Sequence, residues 1–402
     1  MTLKEIGIAI GIAEERFQNM PEGFLAKMEA YYPIPEARRG ELCSDERIDR
    51  LQERFAFFGA YYEAAKDRWQ AVLQDELRKT WIDVCSLFVI DYDYEDIVHL
   101  PIPEPNGTLA GDMMMVFIHV PSVEAAYAKY LARGFDHDFA LSIIHRFRDS
   151  FHHTSVNVVG RPAWIGMYFY WCTLYLKARL FSTHGFNFEL YRFRLAYILR
   201  NKATGKLLPL SIEQQLHSSG LALGSAGAED PEDSVTAFFE ETDSEYIGFP
   251  AIDGYFSLEK HRYPKTQWEL VIRPGEVSIA IHIPRRTDIR HENFRDALLA
   301  AKEIAATGYK DYAPKLFSCS TWLLSPQLEA LLKPGSKILG FGNEFVRFPR
   351  KGNGKSVFSY VFPQNFRGEY SDLPEDTSLM RAVKAKYLAG DYILDFSGVI
   401  PL

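Results

Sequence analysis

The stretch "VSIAIHIP" ends an apolar run on a histidine just before a proline, and "LFSCSTWLL" sets a cysteine, a serine and a threonine side by side in a second apolar run. These are residue types that can move protons or form covalent intermediates. Histidine as a residue type changes charge near neutral pH, so His282 could act as a general base toward an amine or hydroxyl nucleophile. The competing reading is a ring that fixes a strand end by bonding to backbone. Cys319 could act as a nucleophile, but no histidine or acid flanks it to favour the thiolate, and buried cysteines are mostly inert packing. Ser320 and Thr321 point to opposite faces of a strand, so at most one of them lines a cleft. Trp322 either meets a substrate there or packs between sheet and helix.

Other candidates lie further apart. Arg192 could grip a carboxylate or phosphate in two-pronged fashion, or form a salt bridge, with Glu375 as one partner. Glu375 and Thr377, in "LPEDTSL", read as a capping arrangement around a helix start, with a catalytic carboxylate as the other reading for Glu375. "GNGKS" looks like the tail of a phosphate-binding loop, but Pro349 stands where the earlier glycine should be, and the expected context is a hairpin. "FHHTS", with His145 nearby, lacks acids or cysteines at metal-ligand spacing.

Composition narrows the classes. A chain of 402 residues implies two domains with room for a third. A net charge of −8 argues against nucleic acid as the main partner, which leaves "HIPRRTDIRH" as the one basic run of interest. The four cysteines are widely separated, as expected for free thiols in a reducing cytoplasm. The most apolar segment, "AWIGMYFYWCTLYLKARLF", meets Lys177 after about 13 residues, short of the roughly 20 a membrane span needs. A cytoplasmic protein with no membrane partner is expected.

The elements that would position these residues fall into two kinds. Ile48, Leu51, Phe55, Phe58, Tyr62, Ala65, Trp69 and Val72 follow a 3,4 spacing that predicts one long helix over 46–80. Its apolar stripe either packs in its own domain or forms a coiled coil, in which case a homodimer or larger scaffold follows. Helices are predicted behind Ser122, behind Asp136 and from Pro162, while "DMMMVFIHVP" fits a strand or a buried helical turn. Residues 1–185 thus read as a mostly helical domain. From 186 to 402 the pattern changes: a strand in "FNFELYRFRLAYILR", an insertion or loop near 201–265, and two strands joined by "RPGE". A helix ending at Gly308, the strand with Cys319, and a helix in "SPQLEALLK" follow. A hairpin over "GNGKS" and a last helix behind Asp376 complete it. The fold class is α+β, with a mixed-sheet α/β second domain.

That order of strands and helices resembles the GNAT acyltransferase fold. "VSIAIHIP", "FSCSTWLLSPQLEALL" followed by "GSKILGF", and "LPEDTSLMRAVKAKYLAG" together look like a bacterial two-domain family with a helical N-acyltransferase N-terminal domain and a GNAT-like C-terminal domain. The resemblance implies a cleft where the strands ending "AIHIP" and "LFSCSTW" splay apart to admit the thioester of acyl- or acetyl-coenzyme A. It places the pyrophosphate at the following helix N-terminus, held by Arg285, Arg286 and Thr287. It puts His282 at the reacting centre, with Cys319 and Glu375 as further catalytic candidates and Arg192, Thr321 and Trp322 toward a small-molecule acceptor. The run "PRRTDIRH" has no glycine where such loops carry Gln/Arg-x-x-Gly-x-Gly/Ala, and "KILGFG" is expected to lead into a strand. A binding protein that kept the fold and lost the cofactor loop is therefore the alternative function.

Overall fold

The computed structural model describes residues 1–164, 166–232, 234–362 and 368–402. Ile165, in the helix expected from Pro162, and Asp233, in the insertion, lie outside them. The chain divides into two compact units, Met1–Phe181 and Ser182–Leu402.

The first unit is helical. The stripe expected as one long helix forms two, α1 (Asp45–Phe55) and α2 (Tyr62–Leu73). The Ser44 hydroxyl caps α1 by accepting from the Arg47 N–H at 3.3 Å. The break comes at Ala56, which turns left-handed with φ +48°, and it buries two consecutive rings, Phe57 and Phe58. Gly59 follows with φ +51°, and a Cβ there would sit 2.7 Å from the His152 ring. Burial of Ile48, Leu51, Phe55, Ala65, Trp69 and Val72 shows that the stripe serves the unit's own core.

Next come α3 (Glu76–Asp91), α4 (Met114–His119), α5 (Val123–Ala132), α6 (His137–His153) and α7 (Gly166–Leu176). In α3 every residue from Trp81 to Val89 is buried, as in a helix surrounded by others. The segment that fitted strand or helix is helical as α4, with all six residues buried. The Asp136 side chain accepts from the Phe139 N–H at 2.8 Å and starts α6, whereas Ser122 makes no capping bond to α5. Among the described residues no helix is long and apolar enough to cross a membrane.

The second unit is built on a six-stranded mixed sheet. Its strands in chain order are β1 (Leu180–Thr183), β2 (Phe186–Arg192), β6 (Val277–His282), β7 (Leu316–Thr321), β8 (Val346–Pro349) and β9 (Phe396–Pro401). They lie in the order β1-β2-β6-β7-β9-β8. A smaller sheet, in the order β5-β3-β4, holds β3 (Tyr197–Asn201), β4 (Leu207–Leu210) and β5 (Trp268–Ile272).

Two expectations change here. "FNFELYRFRLAYILR" is two strands in different sheets, and "RPGE" joins strands of different sheets and closes no hairpin. The Phe193 N–H donates to the Glu276 carbonyl at 2.8 Å, and the Gly275 N–H to the Phe193 carbonyl at 2.6 Å. The antiparallel pairs β2/β6 and β3/β5 therefore form one bent ribbon running from the large sheet to the small one.

The hairpin expected over 344–362 is also replaced. Strand β8 runs into a short helix, Ser356–Val361, so "GNGKS" does follow a strand and precede a helix. The partner of β8 is β9, the C-terminal "FSGVIP", which slots between β7 and β8. "SPQLEALLK" forms a 3-10 turn, Pro326–Ala330, just after another at Trp322–Leu324. "KILGFG" is itself helical (Lys337–Gly342), and the last helix, Ser378–Leu388, is capped by Thr377 in place of Asp376.

One core cluster joins Phe193, Ile198, Leu207, Phe249 and Phe256 to Leu316, Phe348 and Val399 on one face of the large sheet. On the other face Phe186 meets Phe294 of the long helix α8 (His291–Gly308), with ring centroids 5.4 Å apart.

Candidate active site

Strands β6 and β7 are the parallel pair at the middle of the large sheet, matched at Ile279↔Phe317, Ala280↔Ser318 and Ile281↔Cys319. Among the described residues that pairing ends there, while β6 stays paired with β2 one residue longer, at His282↔Asn187. The end of β6 is thus anchored on one side and open on the other. Side chains alternate between faces. Phe188, Ile279, Ile281, Phe317 and Cys319 lie on the face that carries α8. Asn187, Glu189, Ala280, His282, Ser318 and Ser320 lie on the opposite face.

His282 Nε2 lies 2.9 Å from Glu189 Oε2. The glutamate is only 6% exposed and sits diagonally across from the histidine, opposite Ala280, whose small side chain leaves room for the contact. A buried carboxylate is expensive without a donor, and the imidazole supplies one. In return the carboxylate fixes the orientation of the ring. Sequence reasoning did not single out Glu189; an acid between Phe188 and Leu190, both buried, was the available signal.

Beyond β6 the chain turns through Pro284–Thr287, closed by the Thr287 N–H on the Pro284 carbonyl at 3.2 Å. Arg286 occupies the left-handed region at φ +68°, where a glycine would sit without strain. The Thr287 hydroxyl lies 2.9 Å from the Gly185 carbonyl and 2.8 Å from that of Pro284, tying the loop to the β1–β2 turn. Arg285 donates to the Ser359 carbonyl. Hydrogen bonds from the Arg290 side chain and backbone hold the Asp288 carboxyl down at about 2.

Helix α8 then begins without a side-chain cap, so its first-turn N–H groups have no partner within the helix. Beside it opens a cleft of about 780 Å³, lined by Arg290, His291, Lys337, Leu339 and Phe341 among others. His291 Nδ1 is 2.5 Å from Glu344 Oε1. The cleft lining is mixed in charge: Glu292 and Glu329 face it as well as Arg290 and Lys337. Arg290 is already paired with Asp288, so the feature that favours an anion here is the uncapped helix start. No group of three or more His, Cys, Asp or Glu among the described residues could hold a metal ion.

Residues 192–400, just over half of the chain, match the model of the GNAT-like C-terminal domain. The chain belongs to that family. The sequence matches none of the curated proteins with which it was compared. Three solved structures share its fold over the full length of both chains. One is an acyltransferase in complex with decanoyl-CoA (TM-score 0.65, 14% identity). Another is an acyltransferase in complex with decanoyl-CoA and teicoplanin (0.63, 15%), and the third is an acyltransferase mutant in complex with octanoyl-CoA (0.62, 16%).

Within the GNAT-like unit the structure brings together His282, Arg285, Arg286 and Thr287, at the end of β6 and in the loop after it. Cys319 is buried on the α8 face, away from His282. Its Sγ donates to the Ile281 carbonyl at 3.4 Å, and burial pushes the thiol up to about 12. Thr321 shares that face and accepts from the Leu323 N–H at 3.3 Å as a cap. Trp322 is buried in a satellite core with Leu328, Val383 and Tyr387. Arg192 pairs opposite Val277 at the far end of β2, five residues and so about 17 Å from Asn187. Glu375 pairs with Lys384 at 2.8 Å, and that hydrogen bond lowers its carboxyl below the usual range.

Proposed function

We propose that the protein transfers an acyl group from a coenzyme A thioester to an amine of a small-molecule acceptor. The observation that carries this reading is the His282–Glu189 pair at the point where β6 and β7 stop pairing. Membership of the GNAT-like family and the acyl-CoA ligands of the structural neighbours support it. The thioester would enter from the α8 face. Its phosphates would rest on the first turn of α8 and the side chains of Arg285, Arg286 and Arg290, with Thr287 holding the loop in place. For Arg285 this means exchanging the Ser359 carbonyl for a phosphate, which a guanidinium favours.

The reacting carbonyl would lie beyond the Ile281/Cys319 pair, with the N–H groups of Ile283 and Arg285 available to polarise it. Pro284, between them, has no N–H to offer. The acceptor amine attacks the carbonyl carbon while His282, backed by Glu189, takes its proton. The C–S bond then breaks, and coenzyme A leaves as the thiol.

A second reading, a binding protein that does no chemistry, is favoured by the loop itself. It reaches its turn with Arg286 in place of glycine, and Arg285 already has a partner. Thermal unfolding with decanoyl-CoA tests the site. A ligand at about 100 times its dissociation constant stabilises the native state by roughly 2.7 kcal/mol. The expected result is a clear rise in midpoint that Arg285→Ala plus Arg286→Ala removes. The absence of a rise in the unsubstituted protein counts against a thioester site altogether. A rise without thiol release in the presence of amines points to the binding protein.

A further inference from the structure

Breaking the C–S bond leaves charge on sulfur, and a neutral donor beside the imidazolium of His282 would stabilise that charge as it forms. The face of the sheet that carries His282 holds a second fixed polar group across the open end of β6/β7. Ser320 follows Ser318 on that face, and Ala280↔Ser318 sets the register, so Ser320 stands level with His282 on the neighbouring strand. Its Oγ lies 2.8 Å from the Oγ of Ser397, its partner on β9.

The two hydroxyls are not equivalent. Ser397 is fully buried, while Ser320 is partly exposed. A buried hydroxyl left without an acceptor for its hydrogen costs about 1–3 kcal/mol. Either hydroxyl can donate in this geometry, and the burial of Ser397 favours it as the donor, which leaves the Ser320 hydrogen for a partner outside the pair. Thr321, the neighbouring hydroxyl, lies on the other face as a cap.

We propose that Ser320 donates a hydrogen bond to the departing coenzyme A sulfur, with Ser397 as its positioning residue. This rests on the acyl-transfer reading above. The nucleophile's N–C bond forms as its proton passes to His282. The C–S electron pair then leaves on sulfur, and the Ser320 hydroxyl stabilises the thiolate without giving up its proton. The imidazolium proton returns to the sulfur through water, so the enzyme is unchanged after one turnover.

The test measures thiol release from decanoyl-CoA with hydroxylamine as acceptor, in the full-length protein and its Ser320→Ala, Ser320→Thr and Ser397→Ala variants. A second donor, the decanoyl thioester of para-nitrothiophenol, has a thiolate that departs without help. Ser320→Ala is expected to lower kcat with decanoyl-CoA about 10- to 100-fold at unchanged KM, the scale of one hydrogen bond to a charged group. On the aryl thioester it should change kcat by less than about 3-fold. Ser320→Thr keeps the hydroxyl and should restore most of the rate, and Ser397→Ala should fall between.

Equal losses on both donors would mean a structural role and overturn the proposal, as would a Ser320→Ala enzyme that matches the unsubstituted one. If His282→Ala loses activity while Ser320→Ala keeps it, the Ser320 role falls and the acyl-transfer reading stands. If the unsubstituted protein releases no thiol from either donor, both fall together.

Discussion

His119 makes the stability of the helical unit depend on pH in a direction the structure determines. The ring is fully buried, stacked on Phe169 with centroids 4.2 Å apart, and its Nε2 lies 3.1 Å from the Thr173 hydroxyl. That hydroxyl spends its own hydrogen on the Phe169 carbonyl at 3.1 Å, so it can only accept from His119. The proton of the neutral ring therefore sits on Nε2, and Nδ1 has no hydrogen-bond partner among the described residues. Protonation would place a charge and a second N–H among apolar rings, and burial accordingly lowers the group from 6.5 to about 3. The unfolded chain takes up a proton below about 6.5, and the folded chain does not until about 3. Stability is thus fully present above the higher value and is lost as pH falls through the window between them. From pH 7 to pH 5 the loss is about 2 kcal/mol.

The perturbation is His119→Gln, which keeps a side-chain donor toward Thr173 and cannot titrate. Urea unfolding followed by tryptophan fluorescence at pH 7 and pH 5 measures it. His152, also lowered by burial, contributes in the same direction, but its share cancels in the comparison of the two proteins. The variant should be less stable at pH 7 and should lose about 2 kcal/mol less than the original on acidification. Equal losses in the two proteins would refute the argument that His119 is held neutral.

Glu189→Gln keeps the shape of the pair and removes its charge, so kcat/KM for thiol release from decanoyl-CoA should fall about 10- to 100-fold while the unfolding midpoint changes little. All four cysteines are buried, with Cys319 at about 12 and the others also raised by burial. A disulfide reagent at pH 8 should find no thiols in the native protein and four after urea; rapid labelling of the native chain would contradict the packing. Cys319→Ala should retain activity within about 2-fold and lose roughly 1 kcal/mol of stability from the cavity it leaves. Loss of activity in a folded Cys319→Ala protein would restore the thiol as a candidate nucleophile.

The helical stripe at 48–72 was legible because packing demands a period, but its break was not. Ala56 adopts a left-handed conformation that its own sequence does not announce, driven by the burial of Phe57 and Phe58. The C-terminal strand was missed because Gly398 interrupts its pattern. That glycine is needed where Phe345 crowds the strand, since a Cβ there would lie 2.7 Å from the Phe345 Cβ. The bent ribbon defeated the hairpin reading for a related reason: turn chemistry at "RPGE" is local, whereas the choice of sheet is made by tertiary partners. At the candidate site His282 and the arginine loop could be read from residue type and position. Glu189 could not be assigned a partner until β2 was paired with β6 in register, and the difference between Ser320 and Thr321 needed the parity of β7.

The central claim is that the His282–Glu189 pair removes the acceptor's proton during acyl transfer. Thiol release from decanoyl-CoA with hydroxylamine, followed in a single turnover for the full-length protein and for His282→Ala, tests it most directly. The account predicts release by the unsubstituted protein and a rate lower by about 100-fold or more in the variant, with the rise in unfolding midpoint on decanoyl-CoA retained. Equal rates in the two proteins would contradict it.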